Sequence, residues 1–433
     1  MADGSALPVR ASRHLILCLD GTWSSGFEEH KRHRDDHTVL KPTNPLKLAR
    51  AVVPFDREAK RWQFVYYDIG VGALAEYPGR ANEVLRTADR WLGGAWGAGF
   101  EGNVEDALNF LVLNLVPGDA VFVFGFSRGA ATARAVTEFL EWNGGLPVKD
   151  DAYFLPRLFR AYVQTHGAAG ARDAEVERIN AELRYDGRAP LANFQRVEVA
   201  YLGVWDTVLA LGSRFAATET STTGPARSFY TGTMPAACVA HARQALAIDE
   251  HRYDFRPEIW THCHPGQEMA QRWFAGVHSN VGGGYTRDGL ANVALHWIVE
   301  GAVAAGLTIQ ETFLDRYPPK ACGSLYDSDT RLYQVLDAVR EAGDGGRRSL
   351  LGHPPDAWLD LHPSVIERMR CTAHALEDGA EPDAITTLYR PENVLAFLAA
   401  QPDVDGYLER IEAGLLPEDV RRVIEARRQA RQP

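Results

Sequence analysis

The sequence predicts an α/β protein with a mostly parallel sheet covered by helices on both faces. Three observations carry this. Short runs rich in Val, Ile, Phe and Tyr recur along the 433-residue chain, at the length of buried strands. Helical patterns lie between them, as parallel connections require. Each run also stops at a polar residue, and in parallel sheets such strand ends gather at one edge, where sites are built.

The first expected strand is 14–19 (HLILCL), ending at Asp20-Gly21-Thr22-Trp23. The second, 64–67, ends at Asp68-Ile69-Gly70. A helix is expected over 104–115. Residues 121–124 form the third strand, followed by a helix over 130–142. The fourth strand, 197–205, ends at Asp206; the stretch leading to Asp249 reads as helix-like. The fifth, 273–277, ends at His278, and a helix over 290–305 follows. Three stretches look inserted. Residues 143–196 are helical and charged. Residues 210–235 are rich in Thr, Ser, Gly and Ala and suit a lid or a plain surface loop. Residues 306–385 carry Pro, Gly and charge clusters and read as irregular. The insertions are expected to form a cap. The catalytic unit is placed at 13–395 and a C-terminal helical tail at 396–433. The last helix, 417–431, gathers arginines at the end where the helix dipole favours cations. It reads as a solvated terminal helix rather than a lipid contact.

Composition narrows the function. Hydrophobic residues make up 45% and charged residues 24%, as in ordinary globular proteins. The net charge of −11 and the lack of a basic stripe exclude nucleic acid as the main partner. Five cysteines, Cys18, Cys238, Cys263, Cys322 and Cys371, are odd in number and far apart. No disulfide framework is expected, and a reducing compartment is the default. Residues 1–13 lack the apolar core of a signal peptide, and no apolar run is long enough to span a bilayer. A cytoplasmic protein is the default expectation. Oligomeric state is not legible.

The third strand runs into Gly125-Phe126-Ser127-Arg128-Gly129 and then a helix. In that setting the pattern is a nucleophile elbow: the serine sits at the tip of a tight strand-to-helix turn, and Gly125 and Gly129 leave room for neighbouring backbone. The expected fold is therefore α/β-hydrolase-like. A serine hydroxyl needs a base to take its proton and a carboxylate to orient that base. Ser127, Asp206 and His278 occur in the chain order of this fold, each at a strand end. Asp249, Glu250 and Asp288 compete for the acid role. Asp206 is preferred because a strand delivers it beside the elbow. The glycines Gly282-Gly283-Gly284 suggest backbone bending tightly beside the His278 imidazole. For the oxyanion, one donor is expected from the N–H of Arg128 and the other from Gly21 or Thr22, with Asp20 ordering that turn.

Rival chemistries lack key residues. Aspartyl-phosphate chemistry would need a carboxylate two residues before Asp20, where Cys18 stands. The clusters at 28–37 and His262-Cys263-His264 lack the regular helical spacing of a zinc hydrolase. No metal or organic cofactor is expected. A silent scaffold that only binds is the non-enzymatic alternative.

Together these motifs resemble the α/β-hydrolase family of type VI secretion phospholipase effectors, the Tle1-like group. The resemblance runs from about residue 13 to 393. It rests on LDGTW, GFSRGA, GVWDTV, AIDEHR, GVHSNVGGGY and His362-Pro363-Ser364-Val365. It implies a Ser127, Asp206 and His278 triad, hydrolysis of carboxylic esters through an acyl-enzyme, phospholipids as substrate, and export without a signal peptide. Asn280 stands where the family pattern has Asp; a neutral amide would leave the pocket less negative. The expected partners are a lipid or small ester substrate and a transient membrane surface. An esterase for small non-lipid esters is the second reading.

Overall fold

A computed structural model describes residues 13–21, 29–31, 38–70, 96–209, 231–252, 255–327, 347–377 and 384–430. Its centre is an eight-stranded sheet. In chain order the strands are β1 (Arg13–Leu19), β2 (Phe55–Asp56), β3 (Arg61–Asp68), β4 (Ala120–Phe126), β5 (Val199–Trp205), β6 (Val239–Ala247), β7 (Glu268–Phe274) and β8 (Leu359–Leu361). Across the sheet they run β8-β7-β6-β5-β4-β1-β3-β2. Every pairing is parallel except the short β2–β3 edge. The chain belongs to the α/β class with an α/β-hydrolase-like sheet.

The period-two alternation of β1 builds two cores. Leu15, Leu17 and Leu19 pack with helices α2 (Trp96–Asn114) and α3 (Arg128–Asn143) on one face. Ile16 and Cys18 pack with α1 (Asn44–Ala51) and a later helix, Gly289–Ala304, on the other. Both faces are dry, so the strands read as near-continuous apolar runs rather than alternating ones.

Several expectations change. The helix-like stretch before Asp249 is the buried strand β6, seated between β5 and β7. Its alanines favour a helix in isolation. Here Ala242, Ala245 and Ala247 fit between the layers packed on the two faces, and tertiary packing overrides propensity. The irregular stretch 306–385 supplies β8 at the sheet edge. The helical insertion does not cap the strand ends. Its helices α4 (Leu155–Gln164) and α5 (Ala171–Tyr185) belong to the α2–α3 core. Phe159 and Tyr162 meet Phe139 edge-on near the far end of α3, away from Ser127. The limit expected at 395/396 falls inside a helix, Glu392–Ala400, which packs with Glu418–Ala430 into one cluster with Trp273 and Leu361. Cys322 and Cys371 form a disulfide, correcting the expectation of none; a separation of 49 residues concealed the pair in the sequence. Among the described residues, no helix is long and apolar enough to cross a membrane. Residues 210–230 of the expected lid lie outside the described residues, as do most of 28–37.

Candidate active site

Ser127 sits where β4 becomes α3, with φ 59° and ψ −122°. A side-chain-bearing residue holds that conformation only when its surroundings enforce it. The enforcement is visible. Ser127 N–H donates to Trp205 O at 3.0 Å. A Cβ on Gly125 would lie 2.3 Å from Gly129 O, and one on Gly129 would lie 2.2 Å from Leu19 O. Only glycines let the turn close on itself and on β1.

Asp206 and His278 meet at the same sheet edge. Asp206 follows β5 with φ 44° and is fully buried. His278 follows β7 and opens a short helix, His278–Gly282. His278 Nδ1 and Asp206 Oδ2 are 2.6 Å apart. Burial would raise the Asp206 pKa, but the Arg348 guanidinium and the His278 hydrogen bond outweigh it and hold the carboxyl well below its usual range. An ionised carboxylate can only accept, so Nδ1 carries the imidazole proton and Nε2 presents a lone pair. That Nε2 is buried and has no hydrogen-bond partner among the described residues. Burial lowers the pKa of His278, and Asp206 partly restores it. No hydrogen bond joins Ser127 Oγ to His278 Nε2 among the described contacts; such bonds commonly tighten only when substrate binds. Phe126 and Phe255 wall the imidazole, with ring centroids 4.6 Å and 4.9 Å away. A Cβ on Gly282 would strike the Phe126 ring, which explains one of the three glycines after His278.

The rival acids are committed elsewhere. Asp249 accepts from Gly276 N–H at 2.7 Å and from Tyr389 OH at 2.9 Å. Glu250 pairs with Arg252 and accepts His278 N–H at 3.2 Å; Arg252 offsets its burial and lowers its pKa to about 2. Asp288 pairs with buried Lys47. Asp249 follows a strand, not a helix, so it is its bonding rather than its element that sets it apart.

The first turn is built differently from expectation. Asp20 is buried, and its Oδ2 accepts from Tyr67 OH at 2.7 Å and from Thr43 Oγ1. Its Oδ1 accepts Gly21 N–H at 2.8 Å. Gly21 N–H is therefore occupied within its own turn and does not serve as the free donor expected of it. Thr22 lies outside the described residues. Burial raises Asp20 to about 7. Arg128 opens α3, where the first N–H groups lack intrahelical partners. Asn280 ties the His278 turn to its neighbours: Nδ2 donates to Ser324 O at 3.1 Å, and Oδ1 accepts from Val277 and Tyr326 N–H, each at 3.3 Å. An aspartate could not make the first of these bonds. Among the described residues, no group of three or more His, Cys, Asp or Glu is arranged to hold a metal. Cavities of about 550 and 410 Å³ lie toward the other end of the sheet, around His241 and Gln267, and share no residue with this site.

The family described as T6SS, phospholipase effector Tle1-like, catalytic domain, matches residues 13–301. The chain belongs to this family. An uncharacterized protein of Saccharomyces cerevisiae is 23% identical over 258 residues, covering 58% of this chain and 33% of that protein. A solved structure of the Tle1 effector bound to the VgrG spike of the type VI secretion system is 18% identical, with a TM-score of 0.31 over 64% of this chain and 52% of the other. An uncharacterized protein from Pseudomonas aeruginosa is 14% identical, with a TM-score of 0.38 over 97% of this chain and 62% of that one. The chain thus spans less than two thirds of each relative's length.

In this Tle1-like protein, sequence reasoning missed Arg348 and Phe255. Arg348 is the second of two adjacent arginines in an irregular stretch, 142 residues from the aspartate it grips, and no local pattern marks it.

Proposed function

We propose that this Tle1-like chain is a serine esterase that cleaves the carboxylic esters of phospholipids. The observation that carries the reading is the buried Asp206–His278 hydrogen bond beside a serine held in strained elbow geometry. Ser127 Oγ attacks the ester carbonyl while His278 Nε2 takes its proton. Asp206 keeps the proton on Nδ1 and stabilises the imidazolium. The tetrahedral oxyanion is met by Arg128 N–H, the amide that follows the nucleophile. His278 then returns its proton to the departing alcohol, leaving an acyl-enzyme. Water, deprotonated by His278, attacks that ester, and the carboxylic acid leaves as Ser127 regains its proton. Phospholipid is favoured over a small ester by family membership.

The test uses vesicles of phosphatidylethanolamine and phosphatidylglycerol beside p-nitrophenyl butyrate. Release of fatty acid and lysophospholipid by the wild type, lost in Ser127→Ala, is the expected result. Butyrate hydrolysis without phospholipid turnover would replace the reading with a small-ester esterase. No turnover of either by folded protein would leave a binding scaffold.

A further inference from the structure

Arg348 is buried, and its fork closes on the candidate acid. Nη1 donates to Asp206 Oδ1 at 2.6 Å and Nη2 to Oδ2 at 2.9 Å. The same nitrogens reach Ala247 O at 2.8 Å and Phe255 O. Asp206 Oδ1 also accepts Ala247 N–H at 3.0 Å, so with His278 on Oδ2 both carboxylate oxygens are engaged from two directions. A bidentate guanidinium adds orientation as well as charge. Asn393 holds this arrangement from the C-terminal side, donating to Arg348 O at 3.1 Å and Ile248 O at 3.2 Å. Both Arg348 and Asn393 lie beyond the matched residues 13–301.

The charges around His278 alternate. Asp206 and Glu250 are the anions; Arg348 lies on the first and Arg252 on the second. Arg128 adds a cation next to Ser127 in the chain. A cation on Asp206 weakens the pull of that carboxylate on the imidazolium. Its fork also stops the carboxylate from turning away from Nδ1.

We propose that Arg348 is a positioning residue: its fork fixes the Asp206 carboxylate against His278, and its charge sets how basic His278 is. The two effects separate by substitution. Arg348→Lys keeps the charge and loses the fork. Arg348→Met loses both and keeps an unbranched stem.

The inference rests on the Ser127, Asp206 and His278 reading. The experiment is therefore the pH profile of kcat/KM for p-nitrophenyl butyrate in wild type, both variants and Ser127→Ala. In the wild type the acid limb lies below 6.5, the ordinary histidine value. Arg348→Lys keeps that limb and loses about tenfold to a hundredfold in rate, less than the ~10⁴ of a mis-set triad tautomer. Arg348→Met loses at least as much, and its acid limb moves to higher pH by about one unit, since removing a cation favours the imidazolium. Variants with lower rates but the wild-type limb throughout would assign Arg348 a merely structural role and overturn the proposal. So would wild-type rates in both. If neither variant folds, Asn393→Ala, which removes the side chain that holds Arg348 from behind, is read in the same assay: a several-fold lower rate is expected, and a wild-type rate and limb overturn the proposal. Ser127→Ala activity equal to wild type would sink the triad reading itself, a result distinct from any of these.

Discussion

Ser127, Asp206 and His278 arrive from β4, β5 and β7, and the Asp206–His278 hydrogen bond can be tested without changing side-chain size. Asp206→Asn keeps the size of the side chain but permits the wrong imidazole tautomer. A fall in kcat of about 10³–10⁴ is expected, measured by steady-state ester hydrolysis. Asp249→Asn should stay within a few-fold of wild type in that assay, because Asp249 is bonded to Gly276 and Tyr389 rather than to His278. The pH sign follows from burial. His278 must be neutral to accept a proton, and its pKa is lowered, so the neutral form persists to lower pH. Activity should hold through pH 6.5 and decline only below it. The gathering of Ser127, Asp206 and His278 at one sheet edge was legible because each closes an apolar run. Arg348 was not, because an arginine becomes part of a site only through where the fold carries it. The Gly21 donor was misread for a related reason: the Asp20 carboxylate one residue away takes that N–H, and a sequence does not show which acceptor a turn amide faces.

The elbow works as an element because three backbones touch. Gly129→Ala would push a Cβ against Leu19 O, and backbone cannot yield as a flexible side chain does. Such overpacking costs about 1–3 kcal/mol, read as a lower urea midpoint with an unchanged slope. An intact elbow at wild-type stability would contradict the packing described. At this scale the apolar runs identified four of the strands and, from the run 273–277, only the end of β7, Glu268–Phe274. The Ala-rich β6 was misread because local propensity and tertiary packing disagree there. The two-residue β2 and three-residue β8 are too short for any period. The insertion 143–196 was rightly read as helical, but sequence pattern carries no information about which end of α3 those helices cover.

Across the molecule, the residues beyond the matched family segment are structurally joined to it. The C-terminal helices share a core with β7 and β8, and Arg348 and Asn393 reach the site from that side. Cys322–Cys371 closes a loop of 49 residues within this region. Arg368 reinforces it by donating to Ala321 O and Gly323 O, each at 2.7 Å. Reduction should cost about 2–4 kcal/mol through the freed chain entropy of the unfolded state, seen as a lower Tm in the presence of a phosphine reductant. An unchanged Tm would mean the Arg368 contacts alone hold the loop. The sequence left this bond unread because five scattered cysteines specify no pairing. The central claim is an activated serine, and the most direct measurement is labelling with a fluorophosphonate probe followed by mass spectrometry. Modification of Ser127 in the wild type, absent in folded Ser127→Ala, is the expected result. Labelling at another serine, or none on folded wild type, would contradict it.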